Sequence, residues 1–79
     1  MDIEVKLYGT LKDYSPNGAR ALSFRMKIDG ETRVQDILAR LSIPDQTAKI
    51  ILVNGAHGKK EQLLKEGDVL SVSSLLFGG

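Results

Sequence analysis

Apolar and polar residues alternate with a period of two near both ends of the chain, and only the middle carries a helical period. Ile3, Val5 and Leu7 alternate with Glu4, Lys6 and Tyr8, which predicts a strand with one buried and one wet face, ended by Gly9 and Thr10. Lys12 to Arg20 contains Asp13, Ser15, Pro16, Asn17 and Gly18, turn formers that return the chain as a loop. Phe24, Met26 and Ile28 alternate with Ser23, Arg25 and Lys27, a second strand closed by Asp29-Gly30.

Val34, Ile37, Leu38 and Leu41 then fall at i, i+3, i+4 and i+7, one apolar stripe of an amphipathic helix. Thr32 and Gln35 have the spacing of a capping box at its start, and Ile43-Pro44 stops it near Ser42. The run Ile50-Ile51-Leu52-Val53 is too short for a normal helix and rich in β-branching, which predicts a central strand partly covered on both faces. Either Ile50 and Leu52 or Ile51 and Val53 would then be left for a partner. Asn54-Gly55 is a turn dipeptide, followed by a polar loop through His57, Gly58, Lys59 and Lys60; Leu63 and Leu64 are expected to form one short helical turn under that loop. After the Lys65-Glu66-Gly67-Asp68 turn, Val69, Leu70 and Val72 begin a last strand that runs out into Ser73, Ser74, Leu75, Leu76, Phe77, Gly78 and Gly79. A helix between two pairs of strands lets the first and last strands pair in parallel at the centre of a mixed sheet. That arrangement is the β-grasp, an α+β fold with a mixed sheet of four to five strands packed on one helix. A single domain over 1–79 with a flexible C-terminal tail over 74–79 is expected.

At 79 residues the chain leaves no room for an enclosed active-site cleft. Hydrophobic residues at 42% and charged residues at 27% are ordinary for a folded domain. Eleven basic and ten acidic side chains give a formal charge of +1 without long runs of one sign, so neither a nucleic-acid nor a membrane partner is implied. Cysteine is absent, which removes disulfides, thiolate metal sites and a cysteine nucleophile together. The alternating N-terminus is not a secretory signal and no apolar run approaches a membrane span, so cytoplasmic residence is the expectation. His57 is the sole histidine and has no second ligand to share a metal; it and Lys59-Lys60 are expected to be solvated loop residues. No metal or bound cofactor is expected.

Two glycines at the C-terminus follow directly on an apolar strand. A frayed chain end accounts for them simply. Without Cβ atoms, however, the Gly78-Gly79 backbone can also lie flat in a channel too narrow for side chains and present the Gly79 carboxylate to a partner's catalytic centre. A carboxylate is a poor electrophile until it attacks the α-phosphate of ATP and becomes an acyl adenylate, from which sulfur displaces AMP. Nothing in the chain reads as a phosphate-cradling loop, so the partner supplies ATP and magnesium.

The segments Leu7-Tyr8-Gly9-Thr10-Leu11-Lys12, Thr32-Arg33-Val34-Gln35-Asp36-Ile37-Leu38, Val53-Asn54-Gly55, Leu64-Lys65-Glu66-Gly67-Asp68-Val69 and Gly78-Gly79 occur in an order and spacing that resemble the ubiquitin-like sulfur carriers of molybdopterin and thiamine biosynthesis. The resemblance implies a carrier that is not an enzyme. Gly79 would be adenylated by a ubiquitin-activating-type enzyme and converted to a thiocarboxylate for a sulfur-accepting synthase subunit, with Gly78 beside it in the threading tail and a molybdopterin-type pathway ahead of thiamine. Ser73-Ser74-Leu75-Leu76-Phe77 stands where molybdopterin-type carriers usually have a Pro-Pro pair and a small residue before Gly-Gly. Leu75, Leu76 and Phe77 extend the apolar surface toward the tail and are the candidate partner contacts. Two alternatives remain: a ubiquitin-like modifier conjugated to lysines by the same activation chemistry, and a β-grasp binding module.

Overall fold

The alternation of Ile3, Val5 and Leu7 becomes β1 (Asp2–Tyr8), with these three side chains buried and the intervening ones at least partly exposed. The computed structural model describes residues 1–16 and 23–75. β1 pairs antiparallel with β2 (Ser23–Lys27) and parallel with β5 (Val69–Ser73), in a register that sets Glu4 beside Val69 and Tyr8 beside Ser73. On the other side of β5 lies β3 (Ile50–Val53), and β4 (Ala56–His57) closes the sheet in the order β2-β1-β5-β3-β4. The expected parallel pair of first and last strands is therefore the centre of a five-stranded mixed sheet.

One face of that sheet carries Ile3, Val5, Leu7, Leu70, Val72, Ile51 and Val53, and these form a single buried cluster with Val34, Ile37 and Leu38 of the helix α1 (Val34–Arg40). Ile28, Leu11, Ile43, Ala48 and Leu64 extend the same core from the connections. Each Val, Leu or Ile among them contributes about 1.5–3 kcal/mol relative to exposure, and burying them together is what makes so short a helix stable.

The start of α1 departs from the expected capping box. Arg33, not Thr32, is the N-cap, and its amide donates to Asp36 Oδ2 at 2.8 Å. Thr32 Oγ1 turns back to donate to the Asp29 carbonyl. The first helical amides are met by tertiary partners, Val34 N–H by the Gln62 carbonyl at 3.0 Å and Gln35 N–H by the Lys60 carbonyl at 2.9 Å. With its orphan donors satisfied by another segment, the helix needs no Thr32 side-chain cap. For the same reason Leu63 and Leu64 are not helical. Leu63 forms an isolated antiparallel bridge with Arg33, the Leu64 amide donates to the Thr32 carbonyl at 2.8 Å, and only Leu64 is buried.

The helix ends at Arg40 with Leu41 as its cap, close to the expected stop near Ser42, and Ser42 makes a left-handed turn. Ser42 has φ 61°, and the Ser42 and Ile43 amides return to the Ala39 and Leu38 carbonyls, the paired bonds of a Schellman motif. Asn54 and Gly55 both take positive φ, 54° and 85°, so the predicted turn is a two-residue hairpin. His57 accordingly sits in a short edge strand opposite Leu52, a correction to its placement in a loop. After β1 the chain forms a 3-10 helix over Gly9–Tyr14 that buries Leu11, where turn residues alone were expected from Lys12 onward. A second 3-10 turn, Asp45–Thr47, leads into β3, and Lys60 Nζ donates to the Asp45 carbonyl at 2.9 Å, so Lys60 is tied down while Lys59 is exposed.

Candidate functional site

The parallel pairing of β1 and β5 determines where the C-terminus leaves the body. Because Tyr8 lies beside Ser73, the turn that follows β1 runs alongside the residues that follow β5. Ser74 Oγ accepts hydrogen bonds from the Thr10 amide at 2.9 Å and from Thr10 Oγ1 at 3.0 Å. Gly9 makes that approach possible in two ways. Its φ of +67° belongs to the left-handed region, and a Cβ there would run into Ser74 Oγ and crowd Leu75 Cγ. Ser73, buried to 2% exposure, uses its own hydroxyl locally, accepting from the Leu75 amide at 3.0 Å and donating to the Leu75 carbonyl at 3.2 Å. The last three described residues are thus each held by a side-chain hydroxyl.

Of the residues expected to act, Leu75 is described: it lies beside Gly9 with 56% of its surface exposed. Leu76, Phe77, Gly78 and Gly79 lie outside the described residues. Ser74 and Leu75, expected as the start of a flexible tail, are tied to the body as given above.

Of the two ways Ile50 to Val53 might have faced, Ile51 and Val53 turn into the core, and Ile50 and Leu52 stand half-buried on the opposite side of the sheet. Cross-strand register brings Tyr8, Ser73 and Ile50 into one row and Lys6, Ser71, Leu52 and His57 into the next. Tyr8, Ile50, Leu52, Ser71, Val72 and Ser73 line a shallow hollow of about 200 Å³. It adjoins the tail root through Ser73. The sequence marked Ile50 and Leu52 as one of two choices but assigned no part to Tyr8, Thr10, Ser73 or Ser74. Their signal was the parallel pairing itself, which sets the residues after one strand beside those after the other.

Among the described residues no group of three or more His, Asp or Glu side chains is placed to hold a metal ion. Nor is any helix among the described residues long and apolar enough to cross a membrane. Every buried side-chain nitrogen and oxygen among them has a hydrogen-bond partner.

The chain is similar to solved structures over its whole length. SAMP1, small archaeal modifier protein 1, of Haloferax volcanii matches with a TM-score of 0.69 and 22% identity, covering 100% of both chains. A chain of the complex of subunits 1 and 2 of molybdopterin-converting factor from Helicobacter pylori matches with a TM-score of 0.61 and 21% identity, again covering 100% of both. At these identities the likeness establishes the shared ubiquitin-like β-grasp fold. No curated protein matches the chain. The family model for Mut7-C ubiquitin matches residues 1–75, a span that takes in all five strands, α1 and both halves of the Thr10–Ser74 contact. The chain therefore belongs to the Mut7-C ubiquitin family.

Proposed function

We propose that the protein is a sulfur carrier, itself not an enzyme, whose working group is the backbone carboxylate of Gly79. A carboxylate oxygen of Gly79 attacks the α-phosphate of ATP in a ubiquitin-activating-type enzyme, the bond to pyrophosphate breaks, and an acyl adenylate forms. Hydrosulfide then attacks the acyl carbon, AMP leaves with the bonding electrons, and a thiocarboxylate remains. The carrier supplies the threaded Gly78-Gly79 backbone. The activating partner supplies ATP and magnesium, so no cofactor is needed on the carrier. A synthase subunit takes the sulfur, in a molybdopterin-type rather than a thiamine pathway, by analogy with the assembly of subunits 1 and 2 in the Helicobacter pylori factor.

The observation that carries this reading is the position of the tail root: the central strand β5 ends at Ser73, and Ser74 and Leu75 are held against Gly9 and Thr10. The segment that ends in Gly78-Gly79 is delivered from a fixed point of a rigid sheet. Tyr8, Ile50 and Leu52 beside that point, together with exposed Leu75, provide an apolar docking area for both partners, and Leu76 and Phe77 follow Leu75 in sequence.

The test is the intact mass after incubation with the adenylating enzyme of the same organism, ATP and sulfide. A gain of about 16 mass units, one oxygen replaced by sulfur, is expected, and none after deletion of Gly79, whose removal leaves the core untouched. Circular dichroism of the deletion variant should match the full chain. Isopeptide adducts on lysines without the mass gain would instead identify a protein modifier. Absence of both products would leave a binding module.

A further inference from the structure

We propose that Thr10 and Ser74 are positioning residues, a hydroxyl clamp that sets the direction in which the chain beyond Leu75 leaves the body; the proposal rests on the carrier reading above. Ser74 Oγ accepts from both the amide and the hydroxyl of Thr10, at 2.9 and 3.0 Å, across 64 residues of sequence. The oxygen occupies the space a side chain at Gly9 would fill, so the contact depends on a glycine at that turn. Immediately before it, Ser73 closes a hydrogen-bonded turn with Leu75. Among the described residues, Ser74 is the last one whose side chain is bonded to another element.

A pivot matters because Gly79 lies five residues further on. Within the proposal, the geometry at Ser74 bears on how the Gly79 carboxylate is presented once the carrier is bound to a partner. Fixing Ser74 raises the share of bound complexes in which the carboxylate is aligned for attack, an orientation effect on the chemical step. The two bonds lie at an exposed margin of the sheet, and neutral bonds exchanged against water there contribute little to global stability. The body does not need them to stay folded.

The prediction separates alignment from docking. With the adenylating enzyme of the same organism and saturating ATP, Ser74→Ala should lower kcat for pyrophosphate release about fivefold, with KM for the carrier and the melting temperature little changed. Thr10→Val, which keeps the amide donor, should lower kcat about twofold, and Thr10→Ser, which keeps the hydroxyl, should behave as wild type. Because both residues act through one oxygen, Thr10→Val combined with Ser74→Ala should be no slower than Ser74→Ala alone. In the free full-length chain, ¹⁵N relaxation should show faster motion of the Leu75 amide and those beyond it in Ser74→Ala. Wild-type kcat in Ser74→Ala, or a change confined to KM, overturns the positioning role. Failure of the wild-type protein itself to be adenylated overturns the carrier reading and the positioning role together, and the relaxation data would then show the clamp to be an anchor without that use.

Discussion

Asp68 shows how one buried side chain ties two turns together. It is 5% exposed, and its carboxylate accepts from the Lys65 amide at 2.7 Å and from Asn54 Nδ2 at 2.9 Å, while Asn54 Oδ1 accepts from the Val69 amide at 2.8 Å. The turn before β5 is thereby fastened to the hairpin after β3. Asp68→Ala removes both acceptors and leaves the part-buried Lys65 amide and Asn54 Nδ2 without these partners, while Asn54 Oδ1 keeps the Val69 amide, so stability should fall by about 1–3 kcal/mol in urea unfolding. A midpoint equal to wild type would show that water replaces the carboxylate at no cost. In the sequence the Asn54-Gly55 and Gly67-Asp68 pairs were legible as turns through their own conformational preferences. The bond between them was not, since nothing local states that two turns 14 residues apart meet.

At the scale of elements, α1 is legible through its stripe, and its ends are not. Val34, Ile37 and Leu38 repeat at a helical period because that period presents them to the sheet, and all three are buried as the spacing requires. The cap is Arg33, one position after the Thr32 that the spacing predicts, because the segment from Lys60 to Leu64, remote in sequence, supplies carbonyls to the first helical amides in place of a Thr32 side chain. The same remote pairing draws Leu63 and Leu64 out as extended chain. Leu38 is 1% exposed in the middle of this arrangement, and its carbonyl also receives the Ile43 amide that closes the helix. Leu38→Ala should cost about 2–5 kcal/mol, read as a lowered melting temperature or outright unfolding in so small a domain. Wild-type stability would mean that the cavity refills without loss, against the close packing expected of this core.

For the whole molecule, the two faces of the sheet have different tasks. The face toward α1 is a closed apolar core, and the opposite face keeps Tyr8, Ile50 and Leu52 only partly covered beside the root of the tail. Leu52→Ser should leave the melting temperature close to wild type, since the side chain is not in the core, and weaken binding to the adenylating enzyme by at least about tenfold. Titration calorimetry checks this, and unchanged affinity would place docking elsewhere on the surface. The fold itself was written in the order of periods along the chain: two alternating strands, a helical stripe, and two further strands with turn residues between them. Burial acts on every second residue of a strand and on every third or fourth of a helix, so that order by itself determined β1, β2, α1, β3 and β5, the inward faces of β1, β2 and α1, and the β-grasp topology, but not β4 or the 3-10 turns. It also placed two glycines at the end of the chain. Tertiary structure alone decided which of Ile50–Leu52 or Ile51–Val53 faces outward, which backbone carbonyls cap α1, and that Thr10 and Ser74 share a hydrogen bond. These depend on strand register and on segments far apart in sequence, and a register is chosen by the packing of the assembled core rather than by the local preference of any residue in it.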